Sequence, residues 1–488
     1  MINKVLKASF QIINHIASPQ TLRMETDHYL LNNYDIKISK AETGFSAHIN
    51  FKMFKGFSSS QIHSIEFEEP IKLNNDANTY FVSDKSLFFH QKYPPLDSAD
   101  NTVELKGTIR QIASSIDPNS FNGKFLRHII YLDSSRTKLT EIRGWNYKSD
   151  LSAKNKSLVK VQIEDSEYHF MEFQLNNQTF LVIDTTEVCP LEKFKNVVYN
   201  ILITFGFIYG DLFMNEGYIL SSPDEEFRII EDISFSTYSE TLLTGYRIHT
   251  TNSYSIHNLT GKTTEEIESK EGEAKKWIND LVEIEESVFS RLCELFYKHE
   301  PLSRSAMIVI QGNMFSLKIK GSAYSVALEA ITAFIIKENK EKIPKPVEKV
   351  VFNEIKMKFN EILDEILPRN EENNATREIF KNRIDNLNKP TNAEKLRQAF
   401  ECVEYKLGPH EFAALKARDK FQHGELPVSE NNHDTVFKEV YFVCLMMHRL
   451  IYILLLKRAG YSGYIINYPQ LYSGITEKDL GEQLFYKL

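Results

Sequence analysis

The sequence predicts an α+β multidomain chain, in which an antiparallel β-rich, sandwich-like domain is followed by an all-α domain. Three observations predict this class. Short apolar runs that alternate with polar residues fill the first half of the chain, whereas apolar stripes at spacings of three and four fill the C-terminal part. A polar, acidic stretch at 262–273 separates the two. Hydrophobic residues make up 42% and charged residues 25% of the 488, which suits a globular chain with several cores.

The β-rich domain is predicted to cover residues 1–262 as a sandwich or two packed sheets. Val, Ile, Phe, Tyr and Thr recur there between Asn, Asp, Ser, Gly and Pro turn signals. The predicted strands are 45–51, 64–67, 79–82, 103–109, 158–163, 168–175, 179–183, 218–220, 227–230 and 243–249. One helix is expected to interrupt them at 190–207, where apolar residues follow a single stripe.

A linker and connector are predicted for residues 263–321. Apolar residues at helical spacing indicate one helix over 274–299, which Pro301 ends. The segment 303–321 is expected to add a short strand pair or a loop.

The all-α domain is predicted to cover 322–470, and 471–488 form a C-terminal tail. Prolines bound helices at 347–367 and 376–387, and another helix opens at Thr391. These helix-ending residues allow the order of the helices to be predicted from the sequence.

Two further helices follow the break at Gly408 and Pro409. The second of them is capped by Asp434 or Thr435 and runs to Gly460. Nearly all of its residues are apolar, but a histidine and an arginine interrupt it, which argues against a membrane span. We therefore expect a helix buried in a core or at a subunit interface.

The first of these two helices ends in the most informative segment of the chain, which reads Arg418-Asp419-Lys420-Phe421-Gln422-His423-Gly424. Glycine suits the left-handed position just past a helix end, so His423 should lie at the terminus. Positions five apart on a regular helix differ by roughly 140° in direction, so Arg418 and His423 converge only if His423 lies in a frayed last turn.

An arginine and a histidine at one helix end can together cleave RNA without a metal ion. The imidazole can take or give a proton near neutral pH, and the guanidinium fork binds phosphate oxygens as negative charge develops on them. A two-fold symmetric dimer would supply a second histidine, so that one acts as base and the other as acid. The expected products are a 2′,3′-cyclic phosphate and a 5′-hydroxyl. DNA lacks the attacking 2′-hydroxyl.

Purely structural roles for the same residues remain open. A histidine at a helix C-terminus is often a favourable partner of the helix dipole, and Arg418 can pair with a nearby acid, Glu425 or Asp419. Lys416 and Lys420 could touch RNA or simply be solvated. The net charge of −8 excludes a broadly basic surface, so any RNA must enter a local basic cleft.

The cysteines and the N-terminus point to a cytoplasmic protein. Cys189, Cys293, Cys402 and Cys444 lie far apart in apolar contexts without metal-ligand spacing, so we expect reduced core residues. The first residues lack the apolar block of a secretion signal.

The motif at 418–423, the loop after it and the long apolar helix resemble the HEPN superfamily, and in particular its Apea-like branch in bacterial anti-phage proteins. The segment that resembles the opening helix of that domain is Ala323-Tyr324-Ser325-Val326-Ala327-Leu328-Glu329-Ala330-Ile331. The resemblance covers about residues 320–465.

The resemblance implies a four- or five-helix bundle that forms a homodimer or higher oligomer and cuts RNA without metal or other cofactors. Arg418 and His423 would be the catalytic pair. Asp419 occupies the polar position after the arginine, and Glu329 matches an acidic position on the first helices. The alternative for Glu329 is a partner for a buried arginine or a surface charge.

The same resemblance implies an abortive-infection toxin that cuts tRNA or other cellular RNA. Its N-terminal domain would sense a phage-derived trigger. The alternative is a non-catalytic helical module that dimerises or binds nucleotides or RNA.

Overall fold

The structure is a computed structural model that divides into two compact units. One unit is Met1–Asn313 with Gly463–Ile465, and the other is Met314–Ser462 with Ile466–Leu488. The first is rich in strands and the second is mainly helical, so the predicted order of the two classes is confirmed. The residues that the structure describes are 2–27, 31–52, 67–91, 102–132, 139–151, 155–212, 214–238, 243–257, 263–341, 343–344, 346–367, 372–428 and 432–488.

The first unit combines eighteen described strands with five helices. The strands are β1 Ile2–Lys4, β2 Gln20–Glu25, β3 Tyr34–Lys40, β4 Phe45–Lys52, β5 Ile71–Asn74, β6 Thr79–Val82, β7 Leu87–Gln91, β8 Thr102–Ile109, β9 Gln111–Ala113, β10 Phe125–Leu132, β11 Trp145–Ser149, β12 Asn155–Ile163, β13 Ser166–Leu175, β14 Gln178–Thr185, β15 Asp211–Leu212, β16 Glu216–Ser222, β17 Asp232–Thr237 and β18 Leu243–Thr244. The helices are α1 Lys7–Ala17, α2 Leu191–Tyr209, α3 Thr264–Lys276, α4 Glu286–Lys298 and α5 Glu300–Gly312.

Sixteen strands form one hydrogen-bonded sheet in the order β1-β11-β12-β13-β14-β10-β16-β17-β9-β6-β5-β2-β3-β4-β8-β7. The pairs are antiparallel except that β1 runs parallel to β11. The rings of Phe45 on β4 and Phe235 on β17 are 4.9 Å apart, although six steps of the sheet separate their strands. In a flat sheet that separation would be about 28 Å. The sheet therefore curls over itself around a core, and it is one continuous sheet where the sequence predicted a sandwich or two packed sheets.

A buried cluster of three charged side chains links strand β1 to the middle of this sheet. Arg127 of β10 donates from Nε and Nη2 to Asp184 of β14 at 2.7 and 2.9 Å, and Lys4 of β1 donates to the same carboxylate at 2.9 Å. Burial alone would raise the pKa of Asp184, but the two cations outweigh it and hold that pKa below its usual range. Asp184 is thus a charged carboxylate that is hydrogen-bonded to both cations inside the unit.

Most of the predicted strands are present, and the predicted helix at 190–207 is α2. Residues 227–230 do not form a strand, because they follow a turn over 224–227, in which Phe227 takes a φ of 58° and donates its N–H to the Asp224 carbonyl. In the predicted strand 243–249 only Leu243–Thr244 pair, with β15. Residues 64–66 of the predicted strand 64–67 lie outside the described residues.

The predicted single helix over 274–299 is wrong, since α3 ends at Lys276 and α4 begins at Glu286. Between them Ile284 pairs as a β-bridge with Ile142 on the edge of the sheet region. Tertiary hydrogen bonding therefore overrides the helical spacing of the apolar residues. The strand pair predicted within 303–321 is wrong, since 303–312 lie in α5, where the apolar residues bury one helical face, and 317–321 open the next helix.

The second unit is built mainly from long helices. They are α6 Leu317–Glu338, α7 Lys349–Ile366, α8 Asn374–Asn386, α9 Asn392–Cys402, α10 Pro409–Gln422 and α11 His433–Arg458, followed by the single turns α12 Tyr468–Leu471 and α13 Ser473–Thr476 and the strand β20 Phe485–Lys487. The short strand β19 Tyr464–Ile466 has its first two residues in the first unit and its last in the second. Helix α6 packs against α9, α10 and α11, while α7 and α8 pack against each other. The cap of α11 is Asn432, whose side chain accepts the Asp434 N–H, and not Asp434 or Thr435 as predicted.

Two helices in the described part of the chain, α6 and α11, are long and apolar enough to span a membrane. In α11, 89% of the most apolar window is buried inside the protein, compared with 50% in α6. Helix α11 is therefore a core helix of its unit, as its composition predicts. The four cysteines are free thiols, three of them buried and Cys402 half-buried.

We expect His448 of α11 to make the helical unit less stable in acid. The side chain is 1% exposed and lies among the rings of Tyr324, Tyr452 and Tyr468. Burial, aided by the charge of Lys320, lowers the pKa of His448 to about 3. An unfolded chain binds a proton at this histidine below pH of about 6.5, whereas the folded chain binds it only near its own pKa.

We therefore expect the free energy of unfolding to fall as the pH drops from about 6.5 towards 3. The loss attributable to His448 is at most about 5 kcal/mol. Urea unfolding of the wild type and His448→Phe at a series of pH values tests this. The variant should lose stability less steeply with acid, and identical slopes in the two proteins would show that His448 does not cause the effect.

Candidate functional site

The candidate site lies at the C-terminal end of α10. The helix begins at Pro409, and the Glu411 carboxylate accepts the Gly408 N–H at 2.8 Å, which satisfies a donor at the helix start. Four apolar or basic side chains face inward along one side of the helix. They are Ala414, Leu415, Arg418 and Phe421. The buried side of the helix therefore includes Arg418, the first residue of the motif, and the motif extends to the end of the helix.

A glycine ends α10 in the predicted way. Gly424 takes a φ of 76°, its N–H donates to the Phe421 carbonyl at 3.1 Å, and the Glu425 N–H donates to the Lys420 carbonyl at 2.8 Å. These are the two hydrogen bonds of a Schellman motif. His423 is consequently the residue that caps the helix, and its side chain is exposed to solvent. The imidazole is therefore open to solvent.

The Arg418 side chain is buried, in contrast to His423. The residue is 3% exposed, and its Nη2 donates to the Asp419 carboxylate at 2.5 Å. Its Nε is also buried and has no hydrogen-bond partner among the described residues. A buried guanidinium donor without an acceptor is costly, so a bound water, an anion or a substrate is needed to explain it.

The structure brings Arg418 and His423 to one helix end without joining them. Within the described residues, no hydrogen bond links the guanidinium to the imidazole, and the two side chains differ in exposure. The arginine instead holds Asp419, whose side chain is 61% exposed. This is the pairing with a nearby acid that the sequence left open as an alternative.

Glu329 lies beside the motif, on α6. Its carboxylate is exposed and accepts a hydrogen bond from Gln422 Nε2, so it contacts the residue next to His423. Helices α6 and α10 approach closely here: a Cβ added to Gly321 would lie only 2.5 Å from the Phe421 ring, so a larger residue would not fit. The Ser322 hydroxyl also donates to the Phe421 carbonyl at 3.2 Å. These contacts fix the orientation of the last turn of α10.

The two lysines of the motif region are exposed and each has a local contact. Lys416 Nζ lies 4.8 Å from the centre of the Phe412 ring. Lys420 Nζ donates to the Pro427 carbonyl at 3.0 Å and so ties the following loop to the helix. Together with Arg418 they form the basic part of this helix.

The sequence reading missed Gln422 and the small residues Gly321 and Ser322. The adjacent Gly and Ser at the start of an apolar helix could have indicated a close helix crossing, whereas the glutamine gave no signal of its own. A separate cavity of about 720 Å³ lies near the N-terminal end of α10, between Arg397, Lys406 and neighbouring residues. It is remote along the helix from His423.

No family model, curated protein or solved structure matches the chain. Among the described residues, no group of three or more His, Cys, Asp or Glu side chains is arranged to hold a metal ion. The candidate site is therefore supported by the positions and contacts of its own residues and not by a relative.

Proposed function

We propose that this chain is a metal-independent endoribonuclease of the HEPN type, with Arg418 and His423 as its catalytic pair. It would act in the cytoplasm as an abortive-infection effector on tRNA or other RNA. The helical unit would be a HEPN-like bundle that works as a homodimer or higher oligomer. The strand-rich unit would respond to a phage-derived trigger.

One observation carries this proposal. An exposed imidazole caps a helix whose preceding turn holds a buried guanidinium with an unpartnered Nε. A histidine that served only the helix dipole would need no such neighbour. The exposed Asp419 holds one end of the guanidinium, and a phosphate oxygen is an anion that can replace that carboxylate.

The proposed reaction balances with two copies of the motif. His423 of one copy takes the proton of the ribose 2′-hydroxyl as its oxygen bonds to phosphorus. The bond from phosphorus to the 5′-oxygen breaks, and a protonated imidazole of the second copy gives that oxygen its proton. Arg418 stabilises the charge on the non-bridging oxygens. Lys416 and Lys420 would bind flanking phosphates, and Glu329 would support the last turn through its hydrogen bond with Gln422.

A non-catalytic RNA- or nucleotide-binding module is the second candidate. It is favoured by the burial of Arg418, by its pairing with Asp419, and by the lack of a hydrogen bond between Arg418 and His423 in the described residues. In that case the helix end would bind a phosphate without breaking a bond.

The purified chain incubated with total RNA and a chelator separates the two candidates. We expect cleavage in the chelator, fragments ending in 2′,3′-cyclic phosphate and 5′-hydroxyl groups, and no cleavage of DNA of the same sequence. An RNA oligonucleotide with one 2′-deoxy sugar should resist cutting after that sugar only. Binding without cleavage would favour the second candidate, and a requirement for divalent metal would exclude the proposed chemistry.

A further inference from the structure

We propose that two copies of this chain associate through an exposed apolar stripe on α7, packed in antiparallel orientation. The stripe, called here the α7 stripe, consists of Phe352, Ile355, Phe359, Ile362 and Ile366. Their spacings alternate between three and four, which aligns them along one side of a helix as in a coiled coil. This proposal concerns self-association and does not rest on the nuclease activity.

The stripe is exposed over most of its length. Ile355, Phe359, Ile362 and Ile366 are 36%, 45%, 51% and 69% exposed. Single exposed apolar residues are ordinary on a protein surface, but a row of four on one helix is not. A helix with such a row needs a partner to cover it.

Helix α8 covers a different side of α7. Lys356 pairs with Asp385 of α8 at 2.5 Å, and Arg377 of α8 is bound by Asp364 and by the Leu367 carbonyl. At about 100° per residue, Lys356 lies roughly 80° and Asp364 roughly 160° from the centre of the stripe, so α8 packs beside the stripe and not over it. The hairpin is thus closed by polar contacts on one side, while its apolar side has no cover among the described residues.

The exposed apolar area fits an interface between two copies. By helical spacing, Phe380 and Leu387 of α8 lie on the same side of the hairpin as the stripe, and they are 43% and 55% exposed. Together with the stripe they expose on the order of 600 Å² of apolar surface. A stable dimer buries roughly 800 Å² per partner, somewhat more than half of it apolar, so the patch is large enough.

The charges of α7 favour a second copy in antiparallel orientation. Residues 349–358 carry three lysines and one glutamate, whereas residues 359–366 carry three acids and no base. An antiparallel pair places the basic half of each helix along the acidic half of the other, and a parallel pair would align like charges. Lys358 and Glu365 flank the stripe on one side, seven residues apart, so Lys358 of each copy would meet Glu365 of the other.

Sedimentation equilibrium of the full chain tests this surface. We expect a dimer at micromolar concentrations, and at least 100-fold weaker association for Ile362→Asp, which places a carboxylate in the contact. Ile229→Asp is the matched control, since Ile229 is 61% exposed in the other unit, and it should leave the dimer unchanged. Circular dichroism should show that both variants fold, because both positions are exposed.

A charge exchange tests the orientation. Lys358→Glu and Glu365→Lys should each weaken the dimer several-fold, and the double variant should restore it. A wild-type chain that stays monomeric near 100 µM, or a dimer that Ile362→Asp leaves intact, overturns the proposal. A double variant that stays as weak as the single ones overturns the antiparallel pairing. These measurements use no RNA, so they are independent of any cleavage result.

Discussion

Replacing His423 with alanine should reduce RNA cleavage by about 10²- to 10⁴-fold, the usual contribution of a general acid or base. The imidazole is exposed at the end of α10, so its removal should leave the free energy of unfolding almost unchanged. Single-turnover cleavage of a defined RNA, together with urea unfolding, measures both quantities. A loss of activity without a loss of stability is the expected combination.

His410→Ala is the matched control for this prediction. His410 is also exposed and lies in the first turn of the same helix, far along α10 from the motif. The control should keep wild-type activity. If both histidine variants were equally active, the imidazole of His423 would have no part in the reaction, and any cleavage would come from elsewhere in the chain.

Because the Arg418 side chain is buried, its role is tested with a substitution that keeps the charge and most of the volume, so that the fold is preserved. Arg418→Lys keeps the positive charge but removes the guanidinium fork, so the variant should fold and still cleave poorly. Equal cleavage by the lysine variant would mean that the fork does not contact the phosphate.

Arg449→Met should destabilise the helical unit by about 3 to 5 kcal/mol, because it leaves a buried carboxylate without its counter-charge. Arg449 is 2% exposed and donates to Glu411 at 2.8 Å and to Glu482 at 2.5 Å. The Tyr405 hydroxyl also donates to Glu411 at 2.6 Å. Since Glu411 is at the start of α10, this pair anchors the helix that carries the motif. Urea unfolding measures the loss.

Arg458→Met is the matched control, since Arg458 belongs to the same helix. It pairs with Glu338 at 2.7 Å, but the side chains are 40% and 31% exposed, so the expected loss is at most about 1 kcal/mol. The double variant Arg449→Met/Glu411→Leu should recover part of the loss, because it removes both buried charges. Similar losses for Arg449→Met and Arg458→Met would contradict the idea that burial decides the cost.

The sequence predicted the elements whose patterns are local. Helix α2 follows one apolar stripe, α10 stops at Gly424, and the predicted strand at 79–82 is β6. In each case the residues that set the element lie within it or next to it, so the pattern and the structure agree.

The sequence did not predict features that depend on distant partners. Residues 277–285 have helical spacing, yet Ile284 bonds to the backbone at 141–143 and is extended. The closure of the sheet through Phe45 and Phe235 is a contact between residues far apart in the chain. No local pattern encodes either contact.

The candidate site was predicted in part for the same reason. The helix end and the exposed histidine follow from Gly424 and the spacing before it. The burial of Arg418 and the hydrogen bond from Gln422 to Glu329 depend on how α6 crosses α10. A single sequence does not show that crossing.

The attachment of β1 to β11, and of Lys4 to Asp184, has a consequence for synthesis on the ribosome. The N-terminal strand has its acceptor more than a hundred residues later in the chain, so the nascent polypeptide must wait for that acceptor to leave the exit tunnel. Chains with such distant pairings fold slowly and expose strand edges meanwhile.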